Sequence, residues 1–209
     1  MSCETARVTD VAIIDSGGAN IVSLRFALER LGATAQLTAD RGALLAAPRV
    51  ILPGVGAAAD AMTRLHALGL VDLIPQLQQP VLGICLGMQL LFAASEEGLD
   101  GATTDCLGII AERIVRLQGR ADLPVPHMGW NQLHHTAQSP LLAGVPEGAY
   151  VYFVHSYAAP VGPWTVATAD YGGELSAAVQ VRNFHGVQFH PERSARAGAR
   201  VLANFLELS

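Results

Sequence analysis

The sequence is short of charge and of cysteine, and each shortage excludes a class of protein. Only 15% of its 209 residues are charged, and the 13 Lys and Arg residues are scattered and outnumbered by 18 Asp and Glu residues. With a net charge of −5, the chain lacks the basic footprint that nucleic-acid binding requires. The three cysteines, Cys3, Cys85 and Cys106, have no paired spacing, which favours a reducing cytoplasm over a disulfide framework.

Long apolar runs and cofactor motifs are also missing. Asp, Arg, Gln, Gly or Pro interrupts every apolar run, so we expect no membrane span. The first ten residues, MSCETARVTD, have acidic residues and no apolar stretch, so we expect no signal peptide. The loop DSGGAN lacks both G-x-G-x-x-G and the lysine of a P-loop, and no Cys/His spacing predicts a metal site. We therefore expect no metal and no other cofactor.

What is present is the pattern of a well-filled globular protein, since 51% of the residues are hydrophobic. In the first half, short apolar runs at residues 11–15, 49–54 and 80–85 predict strands, with a weaker strand at 35–39. Helical patterns follow at residues 21–31, 57–68 and 86–95, and Gly32 is the expected stop of the first. Strand–helix alternation of this kind implies a parallel sheet with helices on both faces.

The second half is richer in strands. Alternating runs at 107–117, 150–157, 164–169, 175–181 and 185–190 are joined by Gly- and Pro-containing turns, and a final helix is expected at 195–208. With no repeat or linker, we predict a single domain over residues 1–209. Its fold class is three-layer α/β, with a mostly parallel central sheet and additional antiparallel strands from the second half.

A cysteine between two glycines ends the strand at residues 80–85. The segment GICLG has the form G-x-C-x-G, with a strand before it and a helical pattern after it, which is typical of a nucleophile elbow. Gly83 and Gly87 allow strand and helix to approach closely, while helix-start amides favour the thiolate of Cys85. The amide of Leu86 is then a natural oxyanion donor. The alternative is a buried structural cysteine.

A histidine and a glutamate 105 and 107 residues later supply the missing base. His190 ends an alternating strand in GVQFHPERS, and Pro191 holds its backbone extended. The spacing around this proline can bring the Glu192 carboxylate beside the imidazole, where it would fix the tautomer. His190 could then take the proton of Cys85 and return it to a leaving amine.

These two motifs together resemble the class I (triad) glutamine amidotransferases, and the resemblance covers the whole chain. It implies a flavodoxin-like fold and the hydrolysis of glutamine to glutamate and ammonia, with Cys85 as nucleophile, His190 as acid/base and Glu192 as its orienting residue. The segment PGVG at residues 53–56 resembles the family's oxyanion strand. The oxyanion donors implied are the amide of Leu86 and one from Gly54, Val55 and Gly56.

Three further segments, CLGMQLLF…SEEG, HMGWN and YFVHSY, resemble the glutaminase subunits of imidazole glycerol phosphate synthases. That resemblance implies contacts to glutamine from Gly87, Gln89, Glu97, Ser156 and Tyr157. It also implies a heterodimer with a cyclase subunit, which is a (β/α)8 barrel that uses the ammonia. The residues expected at that interface are Asn20, His127, Trp130 and Asn131, and we interpret HMGWN as a loop.

One segment departs from the family. The first loop is D-Y-G-x-G-N in the family but DSGGAN here, so Ser16 and Ala19 replace an aromatic residue and a glycine.

Three other interpretations of the function stay open. The chain could feed ammonia to anthranilate, pyridoxal phosphate or aminodeoxychorismate synthesis. It could also be a non-catalytic regulatory subunit, or a cysteine peptidase or thiol stress protein that shares the elbow.

Overall fold

The structure, a computed structural model, describes residues 10–15, 21–98 and 101–209. Its regular elements alternate between strands and helices up to residue 89 and consist almost entirely of strands after it. In chain order they are β1 (Val11–Ile14), α1 (Ile21–Arg30), β2 (Ala35–Thr38), α2 (Arg41–Ala46), β3 (Val50–Gly54), α3 (Ala58–Ala67), β4 (Val81–Cys85), α4 (Leu86–Gln89), β5 (Phe92–Ser95), β6 (Thr104–Asp105), β7 (Ile110–Arg116), β8 (His127–Gln132), β9 (His134–His135), β10 (Tyr150–His155), β11 (Tyr157–Ala158), β12 (Thr165–Asp170), β13 (Glu174–Val181), β14 (Phe184–Val187) and α5 (Ala195–Glu207).

Within the described residues, eight strands form the central sheet in the order β2-β1-β3-β4-β14-β13-β12-β9. The first five of these neighbours run parallel, and β13, β12 and β9 continue the sheet in antiparallel fashion. Strand β10 pairs with β8 alone, and β11, β7, β5 and β6 form a third sheet. The predicted fold class is confirmed: a mostly parallel central sheet carries antiparallel additions from the second half.

Both faces of the central sheet are buried, which explains why its parallel strands are continuous apolar runs in the sequence. Val11 and Ile13 of β1 face one hydrophobic cluster, whereas Ala12 and Ile14 face a second cluster on the other side. Helices α1 and α5 cover the first cluster, and α3 covers the second. The result is the three-layer arrangement that the alternating pattern predicts.

Helix α1 ends as its sequence predicts. The N–H of Gly32 donates to the carbonyl of Glu29, and the N–H of Ala33 donates to the carbonyl of Leu28. This pair of bonds is a Schellman motif, which places the residue after the C-cap in the left-handed region. Gly32 has φ +83° there, a conformation that costs glycine little.

Two local predictions are wrong. The helix expected at residues 86–95 stops at Gln89, and β5 begins at Phe92 because its backbone pairs with β6 and β7. The segment HMGWN, interpreted as a loop, is part of β8 and pairs along its whole length with β10. In both cases pairing with a distant strand determines the local structure. A short run of residues does not by itself decide between a strand and another conformation.

Across the described ranges of the chain, no helix combines the length and the apolar character needed to cross a bilayer.

Candidate active site

The turn at Cys85 has the strained geometry of a nucleophile elbow. Cys85 is the last residue of β4 and the residue that precedes α4, and it has φ +54° and ψ −113°, which is uncommon for a residue with a side chain. A Cβ at Gly87 would lie 1.8 Å from the carbonyl oxygen of Leu52, and one at Gly83 would lie 2.6 Å from that of Gly87. Glycine at both positions is therefore what lets β3, β4 and α4 meet at this point.

His190 lies beside this turn because it follows β14, which ends at Val187 and is the neighbour of β4. β14 pairs in parallel with β4, so the carboxyl ends of the two strands meet at one edge of the sheet. The His190 N–H donates to the carbonyl of Tyr152 at 2.9 Å, and its carbonyl accepts from Ser194 Oγ at 2.7 Å. The backbone of the histidine is thus fixed from both sides.

Glu192 lies beside the imidazole of His190, where the sequence predicts it. Its Oε1 is 2.9 Å from Nδ1 of His190, and both side chains are more than 90% buried. Burial alone would lower the pKa of His190, but the neighbouring Cys85 and Glu192 side chains outweigh it and raise that pKa to about 10. His190 Nε2 makes no well-formed hydrogen bond to the described residues and is the ring nitrogen on the Cys85 side.

A cavity of about 300 Å³ opens in front of Cys85, at the small end of the range for ligand pockets. It brings together, from distant parts of the chain, most of the residues that the sequence assigns to catalysis and to glutamine binding. The lining residues are Val55, Gly56, Cys85, Leu86, Gln89, Glu97, Pro126, Val154, His155, Ser156, Tyr157 and His190.

Gln89 and Glu97 are anchored residues and not parts of a solvated helix face. Gln89 is 4% exposed, and its Nε2 donates to the carbonyl of Tyr157 at 2.7 Å and to Gln188 Oε1 at 2.9 Å. Glu97 Oε2 accepts from the N–H of Ala58 at 3.0 Å. Burial raises the pKa of Glu97, although the Ala58 hydrogen bond opposes that shift.

The residues predicted to supply oxyanion donors line two different cavities. Leu86, Val55 and Gly56 line the cavity, and Gly56 has φ +90°. Gly54 instead lines a small adjoining cavity behind His190 and Glu192. Gly87, predicted to contact substrate, does not line the cavity, since its role is the close contact with Leu52.

The residues predicted at a partner interface are also divided. Trp130 is 53% exposed and belongs, with Met128 and Tyr150, to an exposed apolar surface on β8 and β10. His127 is only 3% exposed; its ring stacks on Tyr171, so the isolated chain offers no surface of this ring to a partner. Asn131 is half-buried and donates to the carbonyl of Asp170. Asn20, with Ser16 and Ala19, lies outside the described residues.

Some residues of the site are absent from the sequence prediction. Gln188, fully buried, and His155, which lines the cavity, both join the hydrogen-bond network around Gln89. Strand alternation holds a signal for Gln188, because residues two apart on a strand share a face and His190 is two residues on. Over residues 10–15, 21–98 and 101–209, no cluster of His, Cys, Asp and Glu could hold a metal.

The Cys85 turn, the His190–Glu192 pair and the adjoining cavity are the parts that a cysteine hydrolase of small substrates requires. The family description "Glutamine amidotransferase class-I" matches residues 12–208, and the chain belongs to this family. It is 56% identical over 202 residues to the imidazole glycerol phosphate synthase subunit HisH of Xanthomonas axonopodis pv. citri, covering 97% of this chain and 99% of that one. It is 54% identical over 201 residues to the HisH subunit of Xylella fastidiosa (strain Temecula1), covering 96% and 98%.

Solved structures show the same fold at low sequence identity. A glutamine amidotransferase crystal structure matches with a TM-score of 0.72 at 19% identity, covering 95% of this chain and 97% of that one. The crystal structure of a putative GMP synthase protein from Thermoplasma acidophilum matches with a TM-score of 0.69, also at 19% identity, covering 94% and 92%.

Proposed function

We propose that this chain is the glutaminase subunit of an imidazole glycerol phosphate synthase, which hydrolyses glutamine and passes the ammonia to a cyclase subunit. The observation that carries the proposal is the cavity in which Cys85 and His190 meet Gln89 and Glu97, in a chain 54–56% identical to HisH proteins. A glutaminase needs a thiol nucleophile, a base and a receptor for an amino acid zwitterion, and this cavity supplies all three.

Glutamine binds with its amide over Cys85 and its zwitterionic end towards the other side of the cavity. Glu97 receives the α-ammonium group, since it is the acidic side chain among the lining residues and is held in place by the Ala58 N–H. Gln89 donates through Nε2 to protein acceptors, so its Oε1 is the atom available to the ammonium group. Ser156 and Tyr157 hold the α-carboxylate.

In the first half-reaction, the Cys85 thiolate attacks the side-chain amide carbon of glutamine and forms a tetrahedral oxyanion. The N–H of Leu86 begins α4 and has no acceptor within the helix, so it donates to that oxyanion. A second amide from residues 54–56 completes the hole. His190, held protonated by Cys85 and Glu192, delivers its proton to the amide nitrogen, and the C–N bond breaks to release ammonia.

In the second half-reaction, water hydrolyses the thioester. His190, now neutral, accepts a proton from the water as its oxygen attacks the acyl carbon. The C–S bond breaks, glutamate leaves and the thiolate–imidazolium pair is restored. Glu192 Oε1 accepts from Nδ1 of His190 at 2.9 Å, and this contact holds the imidazole in one orientation through both half-reactions.

We assign the ammonia acceptor to another polypeptide, because the relatives at 54–56% identity are named as subunits of a synthase. We assign the exposed apolar surface of Met128, Trp130 and Tyr150 to a heterodimer with a (β/α)8-barrel cyclase. Exposed aromatic and Met side chains are the residues that interfaces use as anchors. A cytoplasmic location accords with a nucleophilic thiol that has to stay reduced.

The test is glutamate formation from glutamine by the purified chain, alone and with the cyclase partner and its nucleotide ligand. Stimulation by the liganded partner that is absent in Cys85→Ala supports the proposal. Activity that does not respond to this partner would support the triad and indicate that the chain serves a different synthase. Absence of glutaminase activity under any condition, with the fold intact, would indicate a non-catalytic subunit.

A further inference from the structure

A second amide lies between the nucleophile and the glutamine-binding residues. Gln188 has no solvent exposure, and it follows β14 two residues before His190. Its Oε1 is 2.9 Å from Nε2 of Gln89, and its Nε2 is 3.8 Å from Sγ of Cys85. None of the sequence motifs that identify the triad assigns this residue a role.

The orientation of the Gln188 amide follows from its neighbours. The carbonyl oxygen of Tyr157 can only accept, so the atom of Gln89 at 2.7 Å from it is the NH₂ nitrogen. That same nitrogen is 2.9 Å from Gln188, so the Gln188 atom facing it is the carbonyl oxygen. The NH₂ group of Gln188 therefore points at Cys85.

This nitrogen has the sulfur as its partner in a buried setting. A buried amide without a partner is costly, and Gln188 Nε2 is satisfied through Sγ of Cys85. The sulfur also lies 3.7 Å from the carbonyl of Val154. A thiol can donate to that carbonyl, whereas a thiolate can only accept, and Gln188 offers the N–H that a thiolate needs.

We propose that Gln188 is a hydrogen-bond donor to the Cys85 thiolate and, through its other end, fixes Gln89 for substrate. The Gln188 side chain thus contacts both Cys85, the nucleophile, and Gln89, which receives the substrate ammonium group. The inference rests on the proposed glutaminase function for the substrate half only. The donor half concerns the thiolate alone and is measured without glutamine or partner.

The test is alkylation of Cys85 by iodoacetamide across pH, read by mass spectrometry of the peptide that contains it, so that other cysteines do not contribute. Gln188→Met keeps length and volume but has no donor. We expect alkylation at about pH 7 to slow about tenfold, as befits loss of a hydrogen bond to a charged group, with the pH profile displaced upward. Gln188→Asn keeps polarity but is one methylene too short to reach Sγ, and it should show the same displacement.

Gln180→Met is the matched control. Gln180 lies on β13, and its Oε1 accepts from Ser139 Oγ outside the active-site cavity, so alkylation of Cys85 should be unchanged. In glutaminase kinetics, Gln188→Met should raise KM as well as lower kcat, because Gln89 loses its anchor. If Gln188→Met or Gln188→Asn folds and keeps the wild-type alkylation profile, the proposal is overturned.

A measurement on the unmutated chain covers the case in which both variants fail to fold. In protein labelled with ¹⁵N-glutamine, the NH₂ resonance of Gln188 should move with the pH midpoint of Cys85 alkylation, and that movement should be lost in Cys85→Ala. A resonance that ignores this titration overturns the proposal. Absence of glutamine hydrolysis in the wild type would instead count against the proposed function, and it would leave the alkylation result standing.

Discussion

Glu97 Oε2 accepts a hydrogen bond from the N–H of Ala58, the first residue of α3, at 3.0 Å. The carboxylate assigned to the substrate ammonium group therefore also satisfies one orphan donor of the helix that follows the oxyanion strand. Ala57, the residue in the cap position of α3, has no side chain that could do so. On the proposed function, the side chain that binds the substrate ammonium group also holds the first N–H of the helix that follows residues 54–56.

Glu97→Gln should raise KM for glutamine about tenfold or more, because a neutral amide loses the charge that meets the ammonium group, a loss typical of hydrogen bonds to charged groups. The effect on kcat should be smaller. Steady-state glutaminase kinetics measure both. Glu96→Gln is the matched control, since Glu96 lies next in sequence but contacts Arg113 and the N–H of Arg116. An equal rise of KM in both variants would contradict the assignment.

Glu192→Gln should remove part of a stabilisation that depends on pH, because Cys85 and Glu192 both raise the pKa of His190. The pKa of His190 is raised to about 10 when folded, so the stabilisation is complete below its ordinary value of 6.5 and is lost as pH rises through about 10. The difference in free energy of unfolding between wild type and variant should therefore be largest near pH 6. It should disappear above about pH 10. Urea unfolding at several pH values measures it.

The exposed pair His134 and Glu147 provides the control for this experiment. Its Nδ1–Oε1 distance is 3.0 Å, close to that of the buried pair, but both side chains are at least half exposed. Glu147→Gln should change stability little at any pH in this range, as surface pairs do. A pH-dependent difference of the same size in both variants would show that burial of the triad is not its cause.

Gly87→Ala should abolish activity and most of the folded state, because its Cβ would lie 1.8 Å from the backbone oxygen of Leu52. Gly108→Ala separates this clash from simple backbone strain. Gly108 has φ +67° and open space around its Cβ position, so the cost there is about 1 kcal/mol. Circular dichroism and thermal unfolding compare the two. If Gly87→Ala loses no more stability than Gly108→Ala, the close approach at the elbow is not essential.

Cys85 should be alkylated and Cys106 should not. Burial raises the pKa of Cys106 to about 12, with Asp105 and Glu97 adding to the effect, so this thiol stays protonated at neutral pH. Cys85 lines the cavity and faces His190. Iodoacetamide labelling with peptide mapping measures both sites in the same sample. Equal labelling of the two cysteines in folded protein would rule out the environment we describe.

Trp130→Ala should weaken cyclase binding about 30-fold, the loss typical of an aromatic interface anchor, without changing the glutaminase rate of the isolated chain. Trp130 is 53% exposed on β8. Leu45→Ala is the comparison, because Leu45 on α2 is an apolar side chain with 57% exposure. Titration with the cyclase subunit followed by calorimetry measures both affinities. Similar affinities for the two variants would exclude this surface from the interface.

Sequence reasoning works where one local pattern determines the result. Apolar runs around Ile13, Ile51 and Ile84 predict the parallel strands, and the patterns around Cys85 and His190 predict the two ends that meet. The helix prediction is wrong over residues 90–95, because an apolar run of that length fits a helix or a strand. Pairing with β7 makes this segment a strand.

Contacts between distant buried side chains are the part that sequence could not supply. His127 pairs with His155 at 3.0 Å, and Gln89 pairs with Gln188 at 2.9 Å, although 28 and 99 positions separate them in the chain. The resemblance of HMGWN places His127 at a partner interface. The structure instead buries this ring between Phe153 and Tyr171.

The pairing of β4 with β14 places a condition on when the chain can become an enzyme. Cys85 stands at the end of β4, and His190 follows β14, which lies between β4 and β13 and is the last strand of the described chain. A ribosome-bound chain that has emerged only as far as β13 holds the thiol and the glycine turn without a partner imidazole. It follows that a chain ending before His190 has no imidazole to place beside Cys85, and on the proposed function such a chain does not hydrolyse glutamine.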